Sequence, residues 1–423
     1  MNETIKNLIC DVKLPKFVKI KQQFDSTAIA RSEIPGAVWQ QLSRPEIANT
    51  IQPGMSVCLT CGSRGIDNIV AITRAVADFC KQRGAKPFAI PAMGSHGGAT
   101  AQGQLDVLTS FGITEESIGC PIRSSMETDC IGRTAEGHPV HIDRYAANAD
   151  AIILINRIKP HTSFRGTYES GLMKMMAIGL GKQKGAETCH AEGFPRMHHM
   201  VPLFGNAILE NAKVVFGLGI LENAFDKTAQ LHALTPAQIV TEEPKLLQVA
   251  ASLMPSLGFE SCDVLVVDEI GKNISGCGMD PNISGVFATP GMTGGISAQR
   301  RCILSLTEET HGNGYGMGAA DVVTQRLYDQ LDLDMVYPNS ITSTSLGFAK
   351  VPVIMDSDDS AVKLCVRTCH RIDKDNPRII RIKNTLELSE FEISEALIPE
   401  MKDNMQVLTP VYQWQLDEKG NLW

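Results

Sequence analysis

MSVCLTCGSRGIDNIVAITRAVADFCKQRGAKPFAIPAMG, residues 55–94, decides the fold class. MSVCLTCG (55–62) is a short apolar run and reads as a buried strand. IDNIVAITRAVADFCKQRG (66–84) repeats its apolar residues at helical spacing and stops on a glycine. KPFAIPAMG (86–94) is again a short apolar run. Strand, helix, strand in that order predicts parallel strands joined by a covering helix. Outward from there, ATAQGQLDVLTSFG (99–112) reads as the next helix, and ADAIILINRIKPH (149–161) as a strand running into a polar tip. Between 115 and 146 the pattern breaks around Pro121, Gly132 and GHPVH, which suggests a small antiparallel excursion. The helix-like stretch 236–254 connects to a second α/β unit, which begins near 258 with the buried strand CDVLVVDEIG (262–271). There, 319–331, 342–349 and 360–372 read as helical and 377–385 as a strand, and the tail QVLTPVYQWQL reads as an amphipathic strand. The expected fold class is α/β. It has two domains, 1–255 and 256–400, each a mostly parallel or mixed sheet covered by helices. Residues 401–423 form a tail packed on a domain.

Composition narrows the function. Of 423 residues 43% are hydrophobic and 20% charged, which fits a globular chain and not a disordered one. A net charge of −8 with 5% aromatics argues against nucleic-acid binding. No run approaches twenty apolar residues, so no membrane span is expected. The start, MNETIKNLICDVKLPK, lacks a signal-peptide core, and the expected compartment is the cytoplasm. The 12 cysteines are scattered and read as reduced, mostly buried thiols. Cys58 and Cys61 fall on opposite faces if both lie in one strand. Cys365, Cys369 and His370 read as a core or subunit contact in preference to a metal site.

Active sites of open α/β sheets gather at the carboxyl ends of strands. Three strand ends here are unusually polar: CGSRG (61–65) with Arg64, GSHGGAT (94–100) with His96, and RIKPHTSFRG (157–166). Arg64 has a surface ion pair as its ordinary reading, and His96 a helix cap. The stretch 157–190 is the densest, with Arg157, Lys159, His161, Arg165, Lys174, Lys182, Lys184 and His190. Such a cationic, glycine-rich cluster suits a carboxylate or phosphate. Lys174 lies among Met173, Met175 and Met176. Desolvated there, it would lose basicity and serve as a nucleophile or attachment point; on a helix surface it would only snorkel.

The run from His161 to His190, together with GSHGG, resembles the lactate racemase family, the nickel-pincer nucleotide enzymes. The resemblance rests on His161, Lys174, Gly179 and His190 at the family's spacing. SGLMKMMAIGLGK and DEIGKNISGCGMDPN (268–282) mark a branch beside the lactate racemases themselves. It implies a pyridinium-3,5-bisthiocarboxylic acid mononucleotide held on Lys174 through a thioamide, with nickel bound by the cofactor and by His190. His96 and His161 would be the acid/base histidines, with Arg64 beside cofactor and substrate. Gly179, Lys182 and Lys184 would contact the cofactor, and the cofactor would be made by dedicated maturation enzymes. The activity implied is racemisation or epimerisation of a 2-hydroxy acid by reversible hydride transfer. The first domain would carry the cofactor and the second would close over substrate, placing the active site in the cleft between them. The chain departs from the lactate racemases in having Gly-Leu-Met before the lysine and no Tyr-Gln-x-x-Lys segment. Arg157, Lys159, Arg165 and Lys272 then favour a substrate more polar than lactate, a sugar acid or a hydroxy diacid. Lactate itself, a zinc hydrolase on His96, His161 and His190, and a non-catalytic anion- or cofactor-binding homologue are the competing readings. The sequence leaves the oligomeric state open.

Overall fold

A computed structural model describes residues 3–343 and 346–423. The chain divides into two compact units, Asp25–Met254 and, together, Met1–Phe24 with Pro255–Trp423. Residues 1–24 were expected with the first domain and belong instead with the second half. The reason is β1 (Phe17–Gln22), which buries Phe17 in one of that unit's cores and Val18 and Ile20 in the other.

The unit Asp25–Met254 contains β2 (Ser56–Cys61), β3 (Lys86–Pro91), β4 (Thr128–Arg133), β5 (Pro139–Asp143), β6 (Ala151–Arg157), β7 (Val214–Glu222) and β8 (Thr228–Leu234). Five of them form a sheet in the order β3-β2-β6-β7-β8. All neighbours are parallel except β7 and β8. The inner strands β2 and β6 are mostly apolar because both of their faces are covered. Val57, Leu59, Ile153 and Ile155 pack with Ile72, Val76 and Phe79 of α1 (Ile69–Gln82). Cys58, Ile152 and Leu154 point the other way, into a core with Met173, Met176 and Phe204. Cys58 and Cys61 are thus buried on opposite faces, as their spacing requires. The expected antiparallel excursion is the hairpin β4–β5. Past β3 the chain enters α2 (Ala101–Ser110). Past β6 it forms a helical turn α3 (Leu172–Lys174), a π-turn at Met175–Leu180, then α4 (Lys182–His190) and α5 (Met197–Asn211). The unit closes with α6 (Pro236–Leu253).

The other unit is built on β9 (Ser261–Ile270), β10 (Ser297–Leu306), β11 (Val322–Thr324), β12 (Val353–Met355), β13 (Ile379–Ile382), β14 (Glu390–Ser394) and β15 (Met405–Val407). With β1 they form one sheet in the order β12-β11-β10-β9-β13-β14-β1-β15. Its β12-to-β13 part is parallel and its β14-β1-β15 edge antiparallel. The stretch 319–331 is not one helix: Val322–Thr324 joins the sheet before a short helix, Gln325–Asp329. Of 342–349, residues 344–345 lie outside the described residues, and Gly347–Ala349 is a 3₁₀ turn. α7 (Asp358–Thr368) places Cys365 in the core, with Cys369 buried just beyond. In the tail only Met405–Val407 is strand; Trp414 anchors the rest by stacking on Phe17 with ring centroids 3.8 Å apart. Among the described residues no helix is long and apolar enough to cross a membrane.

Candidate active site

The carboxyl ends of β2, β3 and β6 lead into the loops that carry Arg64, His96 and His161. After β6, backbone bonds between Lys159 and Ser170 (2.9 and 3.1 Å) pinch off the loop 160–169. Glu169 organises that loop from inside. Its Oε2 accepts the His161 N–H at 2.6 Å and an Arg165 N–H at 3.3 Å, and its Oε1 accepts the Gly166 N–H at 3.3 Å. Arg165 also donates to the His161 carbonyl at 2.6 Å. The Ser163 N–H donates to His161 Nδ1 at 2.9 Å. A backbone amide can only donate, so the neutral ring carries its proton on Nε2. That nitrogen lies 2.5 Å from Lys174 Nζ, and the bond between them requires the lysine as a free amine. The free amine gains population only toward pH 8, and below that the ammonium form predominates. Burial, reinforced by the Arg64 charge, lowers the Lys174 pKa to about 8. Burial and the Lys174 charge hold His161 well below the usual imidazole range.

The segment bearing Lys174 is held from behind. Glu243, buried on α6, accepts the Met173 N–H at 3.0 Å and a second bond from the Leu172 amide. Gly171 makes this possible, because a Cβ there would stand 2.1 Å from Glu243 Oε1. Gly179 has a similar packing reason: its Cβ would meet the Ala92 carbonyl and Met175 Sδ at 2.6 Å. The π-turn between Lys174 and α4 is a geometry often found at functional sites.

His96 and His190 are solvent-exposed. Yet desolvation by surrounding protein holds both below the usual imidazole value, helped by Arg64 and Lys174 for His96 and by Lys174 for His190. His96 precedes a 3₁₀ turn, Gly97–Ala99, but its side chain makes no capping bond, which removes the helix-cap reading. His190 closes α4 with its ring 5.7 Å from that of Phe194. Among the described residues no three His, Cys, Asp or Glu side chains are gathered as metal ligands. The three-histidine zinc site therefore has no geometric support.

Other expected contacts are drawn into the scaffold. Lys182 is not available to a cofactor phosphate: it is 0% exposed and lies 3.2 Å from Asp143, also 0% exposed. Lys184 is exposed on α4. Arg157 is ion-paired with Glu222, which also accepts the Asp67 N–H at 2.7 Å, so this pair clamps strand ends. Lys272 belongs to the other unit, where Nζ donates to the Gly276 carbonyl at 2.7 Å and sits 4.2 Å from the centre of the Tyr315 ring. Sequence reasoning missed Glu169, Glu243 and Asp143. Glu243 left a signal: with Ile239 and Leu247 it shares a four-residue spacing that puts a carboxylate on the apolar face of α6.

Comparison with known proteins bears on the family and the fold. Residues 13–199 match the family model of the lactate racemase N-terminal domain. No curated protein matches the sequence. Among solved structures, the lactate racemase apoprotein from Thermoanaerobacterium thermosaccharolyticum matches with a TM-score of 0.50 at 12% identity, covering 88% of this chain and 99% of that one. The structural likeness carries the fold, and the match over residues 13–199 shows that this part of the chain is similar to a lactate racemase N-terminal domain.

Proposed function

We propose that the chain is a racemase or epimerase of a 2-hydroxy acid, working with a nickel-pincer nucleotide tethered to Lys174. The observation that carries this reading is the Lys174–His161 contact, a buried lysine whose pKa is lowered to about 8 beside a histidine in the loop after β6. The free amine of Lys174 suits condensation with a thiocarboxyl group of the cofactor, which forms the thioamide and releases water. One accessible imidazole, His190, suits a single nitrogen ligand to a metal whose soft donors come with the cofactor. When bound, that group supplies a hydride acceptor and donor. It is needed because the Cα–H of a hydroxy acid is barely acidic beside an ionised carboxylate.

The chain's own residues do the rest. Arg64 pairs with the substrate carboxylate. His96 and His161 each handle the hydroxyl proton of one isomer, as base in one direction and acid in the other. With the Ser163 amide on Nδ1, His161 presents Nε2–H and is set first as a donor. For it to take a proton at Nε2, the loop 160–169 must release that amide. Loading depends on maturation enzymes as partners, and the expected compartment remains the cytoplasm. A sugar acid or a hydroxy diacid is the first substrate class to test, because Gly171-Leu172-Met173 replaces the lactate-racemase sequence before the lysine.

The test is chiral analysis of a panel of 2-hydroxy acids incubated with matured wild-type and Lys174→Ala protein. Interconversion of at least one acid by the wild type alone is expected. A fully loaded protein that interconverts none would favour the non-catalytic homologue.

A further inference from the structure

The loop bearing His96 leaves β3 at Pro91 and has only the 3₁₀ turn Gly97–Ala99 before α2 begins at Ala101. Its backbone is nevertheless held at two points. Gln104, 0% exposed on the first turn of α2, donates from Nε2 to the Gly94 carbonyl at 2.9 Å and to the His96 carbonyl at 3.2 Å. A side-chain amide can be placed either way round, so something must fix its direction. Here that is Lys182, whose Nζ donates to Gln104 Oε1 at 2.9 Å. An ammonium has no acceptor, so Oε1 must face it and the NH₂ must turn to the loop. The same ammonium donates to the Pro91 carbonyl at 2.5 Å and is balanced by Asp143 at 3.2 Å. Lys182 adopts a left-handed φ of +52° at the head of α4 to reach this place. The loop is pressed onto α2 so closely that a Cβ on Gly97 would lie 2.5 Å from the Gly103 backbone.

We infer that Lys182 and Gln104 are positioning residues for His96: the buried ammonium orients the Gln104 amide, and the amide fixes the backbone at Gly94 and His96. Well-packed apolar side chains would fill this space without the cost of desolvating an ion pair. They could not point two N–H donors at the loop. One residue run thus serves both halves of the site, since the segment that carries Lys174 ends in the lysine that steadies His96. The catalytic part of this inference rests on the reading of His96 as an acid/base group; the structural part does not.

The test uses hydrogen exchange on the unloaded protein and kinetics on the matured one. Gln104→Met removes both donors and leaves Lys182 its Pro91 and Asp143 contacts. Exchange of the amides over 94–100 should speed up about tenfold, the factor for one net hydrogen bond, while 172–180 exchanges as in the wild type. In the matured variant kcat should fall, with KM kept, for the same isomer that His96→Ala disables. Should Gln104→Met fail to fold, Gln104→Glu keeps the contact with Lys182 and removes the donated NH₂, and should give the same pattern. Unchanged exchange over 94–100, or equal acceleration in both segments, overturns the positioning role. If matured wild type turns over no hydroxy acid, the catalytic part fails, and the exchange result still decides whether Lys182 and Gln104 hold the loop.

Discussion

Replacing Glu243 by glutamine should flatten the pH dependence of stability between about pH 5 and 8. Glu243 is 1% exposed, and its carboxyl accepts backbone amides of the segment that carries Lys174. Burial raises its pKa from 4.5 to about 8. The folded state therefore binds this proton more tightly than the unfolded state across that window. Stability is highest below the unfolded value and is lost as pH rises through the folded one. At 1.36 kcal/mol for each tenfold change in proton affinity, the whole window is worth about 5 kcal/mol, with about 3 kcal/mol already lost by pH 7. Glutamine keeps an acceptor for the Met173 amide and has no proton to lose. Denaturant unfolding of both proteins at pH 5, 6, 7 and 8 isolates this group, because every other titration is shared. The variant should gain on the wild type by about 3 kcal/mol between pH 5 and 8. Two curves that stay parallel across the range would refute the reasoning.

Three further expectations follow from the site. An amine-selective acylating reagent should modify Lys174 in the unloaded protein with a rate that rises through about pH 8, well before an ordinary lysine at 10.5; peptide mass mapping across pH checks this. His190→Ala should lose nickel from the matured protein while Tm stays within about 2 °C of the wild type, as befits truncation of an exposed ring. Nickel retained in full in that variant removes His190 as the ligand. Rapid mixing of matured His96→Ala and His161→Ala with separate isomers should show each variant oxidising only one isomer, with opposite preferences. Loss of both isomers in one folded variant would instead point to a single base.

What the sequence made legible was local. β2, α1 and β3 each bury an apolar face against the next element in the chain, so strand–helix–strand order and the parallel sheet follow from spacing alone. The carboxyl ends of those strands and of β6 then locate Arg64, His96 and His161. Distant pairings were not legible. β1 finds its partners at Glu390–Ser394 and Met405–Val407, almost a whole chain away, and nothing in Phe17–Gln22 names them. Val322–Thr324 is too short to show a period and was absorbed into a helix. Lys182 reads in GLGKQKG as a cation facing the cofactor; its burial depends on Asp143 at the end of the β4–β5 hairpin, a partner no spacing rule supplies. Arg157 and Arg165 likewise suit an anionic ligand by composition, but Glu222 and Glu169 claim them first.

The central claim is that isomers interconvert by moving the Cα hydrogen with its electron pair, at a site that requires Lys174. The most direct measurement runs the panel of 2-hydroxy acids with matured protein in D₂O and reads configuration and isotopic mass of the product together. The account predicts an inverted product that keeps its original Cα hydrogen, and no product with Lys174→Ala. Inverted product carrying solvent deuterium at Cα would contradict it, because that outcome belongs to proton abstraction.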